Sequence, residues 1–273
     1  LKGLRPRITA VITVYNGETH IAKAVQSLLG QTEKRIEVLV LNDGSTDGTL
    51  KVLRRFRDRR LRVLDLPRMG RAAALERAGL EARGRYIANL DADDVSFPER
   101  LKEQAAFLDS NPHVAWVGSG EEQADSRRAE RHRRVYPCAD EEIRLQSAKC
   151  IPYCHSSIMF RRSLIEAGIN YDPRQPYLID FEFFLRVAER HRVANLPRVL
   201  VKRHLRGESY FQKNFSTFRQ NTRLAAYCFS AIRRFRLPVQ CYLFPVARLF
   251  YPFLPTGLKR WVRGQQGLKE THG

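Results

Sequence analysis

The chain has 273 residues, 43% of them hydrophobic, with 48 Lys and Arg against 29 Asp and Glu and a formal net charge of +19. Such a length and apolar content supply one sizeable core with an appendage and exclude a disordered chain. No uncharged run approaches the roughly 18 residues needed to cross a bilayer, and no secretory signal is visible. The charge balance calls for an anionic partner: a phosphorylated ligand, a membrane surface or nucleic acid. Five cysteines (Cys138, Cys150, Cys154, Cys228, Cys241) form an odd set without a CxxC pair, and reduced thiols in a cytoplasmic setting are expected.

Ile8 to Tyr15 is β-branched and mostly apolar, as a central strand should be. Asn16-Gly17 marks a turn, after which Ile21, Val25, Leu28 and Leu29 recur at helical spacing. A second unit repeats the pattern, with strand Ile36 to Leu41, loop Asn42 to Asp47 and a helix to about Phe56. Leu61 to Leu66 is a third strand and Ala72 to Ala82 a third helix. Tyr86 to Leu90 is a fourth strand, which runs into Asp91-Ala92-Asp93-Asp94. Ser96 and Glu99 have the spacing of a capping box, and Pro98 suits the first turn of a helix carrying Leu101, Ala105 and Leu108. Strands alternating with helices in this way predict an α/β fold, a doubly wound and mostly parallel sheet with flanking helices.

In such a sheet the C-terminal strand ends share one edge, where ligands bind. The ring of Tyr15 can stack there on a nucleobase, and the carboxylate of Asp43 can accept an imide N–H. Two acids one residue apart, Asp91 and Asp93, can share a hard cation and leave positions free for phosphate oxygens. Neither GxGxxG nor a Walker A sequence is present, so a metal is expected to hold the phosphates. Alternative readings are an acidic turn beside a helix start, a nucleotidyltransferase on a related sheet, a catalytically inactive scaffold and a nucleic-acid-binding protein. The nucleotidyltransferase would need a Gly-rich loop that Asn16-Gly17-Glu18 does not resemble. Acidic strand ends argue against nucleic acid, because they repel its phosphates.

Thr13-Val14-Tyr15-Asn16-Gly17-Glu18, Leu41 to Asp47, Leu90-Asp91-Ala92-Asp93-Asp94, Phe97 to Leu101, Val117-Gly118-Ser119 and His155 to Phe160 resemble the family-2 glycosyltransferases, with their GT-A fold. The resemblance covers roughly residues 7 to 201. It implies an inverting transferase that uses a nucleotide-diphospho-sugar, expected to be a UDP-sugar. Thr13, Tyr15, Glu18, Asp43, Asp91 and Ala92 would then line the nucleotide. Asp93 with Asp91 would bind Mn2+ or Mg2+ on the diphosphate. Relatives often carry Arg-Asn near Leu75-Glu76, a departure that puts any donor contact at those positions in doubt.

Glu121 to Ser147 is charged and irregular, with no role legible. Further on, Phe181, Phe184, Leu185 and Ala188 form an apolar helical stripe. Asp180 stands at its entrance, where an acid is commonly an N-cap. The stretch resembles the family's Glu-Asp-Tyr-Asp motif, with Asp180 matching the catalytic base and Ile179 replacing the preceding Glu. Glu182 lies about 200° further round the helix, too far to pair with Asp180. Arg192 to Val201 reads as the last strand, and His204 in the following segment resembles, loosely, a family His that helps hold metal or diphosphate.

From Phe215 the chain is a basic helix, then a stripe of Val239, Tyr242, Leu243, Val246, Leu249, Phe250, Phe253 and Leu254, followed by Lys259, Arg260, Trp261 and Arg263. An apolar face flanked by cations suits the interface of an anionic membrane, and packing on the catalytic domain or on a second subunit is the alternative. The expected division is a catalytic domain over 1–206, with a nucleotide-sugar half near 7–110 and an acceptor half near 111–206, and a tail over 207–273. The expected activity is sugar transfer to a hydroxyl of a glycan or lipid-linked acceptor in cell-surface polysaccharide assembly. Its expected place is the cytoplasmic face of the membrane.

Overall fold

The structure, a computed structural model, describes residues 5–125, 131–205 and 217–253. The first half is built from β1 (Ile8–Val14), α1 (Ile21–Leu29), β2 (Ile36–Asp43), α2 (Thr49–Leu53), β3 (Leu61–Leu66), α3 (Arg71–Glu81), β4 (Tyr86–Asn89), β5 (Val95–Ser96) and α4 (Arg100–Ser110). It continues through β6 (Val114–Asp125), β7 (Arg131–Arg134), α5 (Asp140–Ser147), β8 (Met159–Arg161), α6 (Ser163–Glu166), α7 (Ile179–Arg190) and β9 (Arg192–Leu205). Two helices follow, α8 (Thr217–Phe235) and α9 (Leu243–Phe250).

One sheet runs in the order β3-β2-β1-β4-β8-β6-β9-β5, with β7 paired to β6. Side chains alternate across each strand. Ile8, Ala10, Ile12 and Val14 of β1 and Val38 and Val40 of β2 therefore join α1 and α4 on one face. Val11, Leu39 and Leu41 join Leu75 of α3 and Phe181, Phe184 and Leu185 of α7 on the other. Trp116 centres the second layer, with the rings of Tyr153, Phe160, Phe183 and Phe184 at 5.3–5.9 Å.

The sheet is mixed, and not mostly parallel as its opening strands suggest. β1, β2, β3 and β4 are parallel to one another. β8 then runs antiparallel to both β4 and β6, β5 antiparallel to β9, and only β9 returns parallel to β6. At three residues, β8 is too short to carry a period from which direction can be read.

The expected capping box is not formed. Ser96 lies in β5, opposite Val201, and its hydroxyl accepts from Gln31 Nε2 at 3.1 Å. Strand pairing thus takes Ser96, α4 begins only at Arg100, and the Glu99 carboxylate accepts from Thr32 at 3.1 Å. The charged middle is also more regular than expected. Glu121 and Glu122 are buried strand residues of β6, and α5 follows β7.

All five cysteines are free thiols. α8 packs against α7, with Tyr227 5.9 Å from Phe181 and Phe235 6.5 Å from Phe184. Beyond it Val239, Leu243, Phe250 and Phe253 are each more than 60% exposed. Among the described residues no helix is long and apolar enough to cross a membrane. Leu254, Lys259, Arg260, Trp261 and Arg263 lie outside the described residues.

Candidate functional site

Because β1, β2 and β4 are parallel, their C-terminal ends open on one edge of the sheet. The reversal at β8 brings the residues just before it, His155–Ser157, to that same edge. β5 pairs with the end of β9, which sets His204 beside Asp94. The fully buried Arg100 guanidinium locks the junction, donating to the carbonyls of Asn89 at 2.7 Å and Ile158 at 3.1 Å.

At the β1–β2 end, Tyr15 is 46% exposed. The Arg68 guanidinium lies over its ring, 3.8 Å from the centroid, and also donates to the buried Asp43. Asp43 accepts further from the backbone of Met69 at 2.7 Å and of Gly70. This close approach needs Gly44: its φ is +65°, and a Cβ there would stand 2.6 Å from the Arg68 nitrogen. Thr13 is half-buried near the end of β1, beside Leu41 of β2. Glu18 is exposed, and its carboxylate accepts from the Gly48 N–H at 3.0 Å, fixing the start of α2.

The β4 end holds the charges. Asp91 is paired with Arg71 at 2.7 Å and with His155 Nδ1 at 3.2 Å. Burial alone would raise the Asp91 carboxyl, but Arg71 and His155 outweigh it and hold the group well below the usual carboxylate range. Asn89 Nδ2 lies 3.1 Å from His155 Nε2 and donates to the Tyr171 hydroxyl, so the imidazole is fixed from both sides. Ala92 and Asp93 are half-buried. Asp94 is buried, accepting from Ser156 Oγ and from the His204 N–H at 3.0 Å.

Asp180 is half-buried in the first turn of α7, one residue inside the helix. It is not the N-cap: that place belongs to Leu178, held left-handed at φ 49°. Its charge adds to that of Asp91 in stabilising the Arg71 cation, and it raises the phenols of Tyr153 and Tyr171 after burial. The buried Tyr153 hydroxyl has no hydrogen-bond partner. Glu182 is spent on Arg186, with both carboxylate oxygens at 2.7 Å, as its position round the helix requires.

A divalent metal is tested by these donors. No group of three or more His, Cys, Asp or Glu preformed to hold one occurs among the described residues. Mg2+-type sites commonly use one or two carboxylates and complete their shell with substrate phosphates and water. Asp91 and Asp93, both partly open to solvent, meet that requirement. The Nδ1 of His204 is buried without a hydrogen-bond partner and adds a possible donor. The residues fit a site completed by substrate.

Arg68, Arg71, Asn89 and Tyr171 had no role legible in the sequence, and His155 stood only inside a motif. Arginines are too common in this chain for Arg71 to stand out. Leu75, one turn along α3, is a core residue and makes no polar contact.

Residues 9–168 match the sequence profile of glycosyl transferase family 2. The chain is 30% identical to the putative glycosyltransferase EpsE of Bacillus subtilis, over 96% of this chain and 97% of that one. It is 29% identical to the amylovoran biosynthesis glycosyltransferase AmsE of Erwinia amylovora, over 71% of this chain and 74% of that one. Among solved structures, S. aureus TarS 1-349 in complex with UDP-GlcNAc superposes with a TM-score of 0.67 at 19% identity, over 89% of this chain and 72% of that one. The mannosyltransferase PcManGT of Pyrobaculum calidifontis, in complex with GDP-Man and Mn2+, superposes with a TM-score of 0.63 at 21% identity, over 91% and 70%. The chain belongs to glycosyl transferase family 2, on a GT-A-type mixed α/β sheet.

Proposed function

We propose that this glycosyltransferase is inverting, takes a UDP-sugar as donor and adds its sugar to a hydroxyl of a glycan or lipid-linked acceptor in polysaccharide assembly. The observation that carries the reading is the convergence of Asp91, Asp93 and Asp180 around Arg71, beside the Tyr15 and Asp43 strand ends. The UDP-GlcNAc bound by TarS and the name of AmsE support the donor and the pathway class.

In this reading Tyr15, Thr13 and Asp43 receive the nucleobase, while Asp91 and Ala92 face the sugar-phosphate. Glu18 acts one step back, through α2. Asp180 accepts the proton of the acceptor hydroxyl as its oxygen attacks the anomeric carbon from the face opposite the leaving diphosphate. The phenols of Tyr153 and Tyr171 lie close enough to feel the charge of that carboxylate. Asp93 and Asp91, with His204, would hold a divalent metal, which when bound neutralises the charge developing on the diphosphate. The Mn2+ bound by PcManGT supports this assignment.

Catalysis belongs to residues 1–206, with α8 joining them to the tail. The exposed Val239, Leu243, Phe250 and Phe253, near Arg248 and the Lys149 ammonium over Phe244, suit an anionic membrane surface. Turnover of a panel of nucleotide-sugars with and without Mn2+ tests the reading. Metal-stimulated turnover of a UDP-sugar is expected, and absence of any nucleotide-sugar turnover or binding would sink it.

A further inference from the structure

Three carboxylates gathered at one edge repel one another, and the site answers with a cation of its own. Arg71 pairs directly with Asp91 at 2.7 Å and contacts His155 at 3.1 Å. Asp180 and Asp93 lie close enough for their charges to act on it as well. Its place in the chain does not favour it: Arg71 is the first residue of α3, where the helix dipole is unfavourable to cations, and that first turn contains no acid. What holds the guanidinium is the carboxylate cluster.

The hold is also reversible by construction. The Arg71 side chain is 52% exposed. It follows Gly70, whose φ is +89° and around whose missing Cβ nothing lies within 4 Å. Because half of the Arg71 side chain already faces solvent, the guanidinium can turn outward from Asp91. Its partner Asp91 is one of the two carboxylates that fit a metal, so Arg71 and a metal compete for the same carboxylate.

We propose that Arg71 is the resident counter-cation of this cluster: it pairs with Asp91 in the donor-free enzyme, yields Asp91 when a divalent metal binds, and re-pairs with the diphosphate of the nucleotide-sugar. Arg71 thus makes metal binding weak until the donor arrives and couples the two ligands. The inference rests on the metal and donor reading above and adds a switch to it. A guanidinium suits both partners, since carboxylate and phosphate match its planar fork.

The test is Mn2+ binding to the full chain by calorimetry and by the loss of free-Mn2+ electron paramagnetic resonance, without nucleotide and then with UDP. Arg71→Met, which keeps the length and removes the charge, should bind Mn2+ alone about tenfold tighter than the native chain, roughly the weight of one charge-assisted hydrogen bond. Its affinity for UDP at saturating Mn2+ should fall by about the same factor. Arg71→Lys should lie between the two. Unchanged Mn2+ affinity in a folded Arg71→Met would overturn the proposal. Should that variant lose its cooperative melt, Arg71→Gln carries the same expectation and the same overturning result. Asp93→Ala separates the two levels. Mn2+ binding that depends on Asp93 but not on residue 71 removes the counter-cation alone, whereas Mn2+ binding insensitive to both removes the metal reading beneath it.

Discussion

The Arg68 guanidinium lies 3.8 Å from the centre of the Tyr15 ring while donating to the buried Asp43. One side chain thus joins the two strand ends assigned to the nucleobase, and the left-handed Gly44 makes room for the backbone that carries it. Base–aromatic stacking is worth about 1–3 kcal/mol per base. Tyr15→Ala should therefore weaken UDP binding about tenfold or more, while Tyr15→Phe should retain it. Fluorescence titration with UDP in Mn2+ checks this, and equal affinity in the alanine variant would remove Tyr15 from the nucleobase site.

Asp180 faces the cluster from the first turn of α7, and its neighbour Glu182 is bound by Arg186. Asp180→Asn should keep the fold and donor affinity and lower turnover by roughly 10²-fold or more, the weight of a general base. Donor consumption beside a melting curve reads both. Native turnover would leave Asp180 a residue of helix structure only.

Asp94 behaves differently from its neighbours. Burial first, then the charges of Asp91 and Asp93, push its carboxyl up to about 8, against the donors Ser156 and His204. Between about pH 4 and pH 8 the folded chain then keeps a proton that the unfolded chain has lost, so this group's contribution to stability falls as pH rises through that window. Asp94→Asn imitates the neutral form and should flatten the decline. Asp94→Ala leaves the Ser156 hydroxyl and the His204 N–H without their acceptor and should cost about 1–3 kcal/mol for each buried group left unpaired. Denaturant melts at pH 5 and pH 8 distinguish the two.

The early strands were legible because β1 and β2 are buried nearly throughout and their side chains are β-branched and apolar. Asp43, Asp91 and Asp93 were legible because acids at the ends of such strands are conspicuous. Ser96 misled because a local cap signal competes with strand pairing, and the pairing partner Val201 is 105 residues away in the chain. Glu121 stood in a stretch read only as charged and irregular, yet it is fully buried: Tyr136 and Arg203 reach it from distant segments. Arg71 could not be found from spacing, since its partners Asp91 and His155 are 20 and 84 residues away.

The apolar face from Val239 to Phe253 gives a separate prediction. Each cation close to anionic lipid contributes on the order of 1 kcal/mol, and salt weakens that part. Reversing the charges at Lys259, Arg260 and Arg263 should reduce sedimentation with phosphatidylglycerol vesicles while leaving UDP binding and Tm nearly unchanged. Unaltered sedimentation would remove the electrostatic anchor, and a large fall in Tm would make these residues part of the fold.

The central claim is that the carboxylates at the end of β4 hold the donor's diphosphate through a divalent metal. Calorimetric titration of a UDP-sugar in Mn2+ into the native chain and into Asp93→Ala tests it most directly. Metal-dependent binding should be present in the native chain and abolished in the variant, because Asp91 alone leaves the diphosphate without its countercharge. Equal affinity in the two proteins would contradict the account.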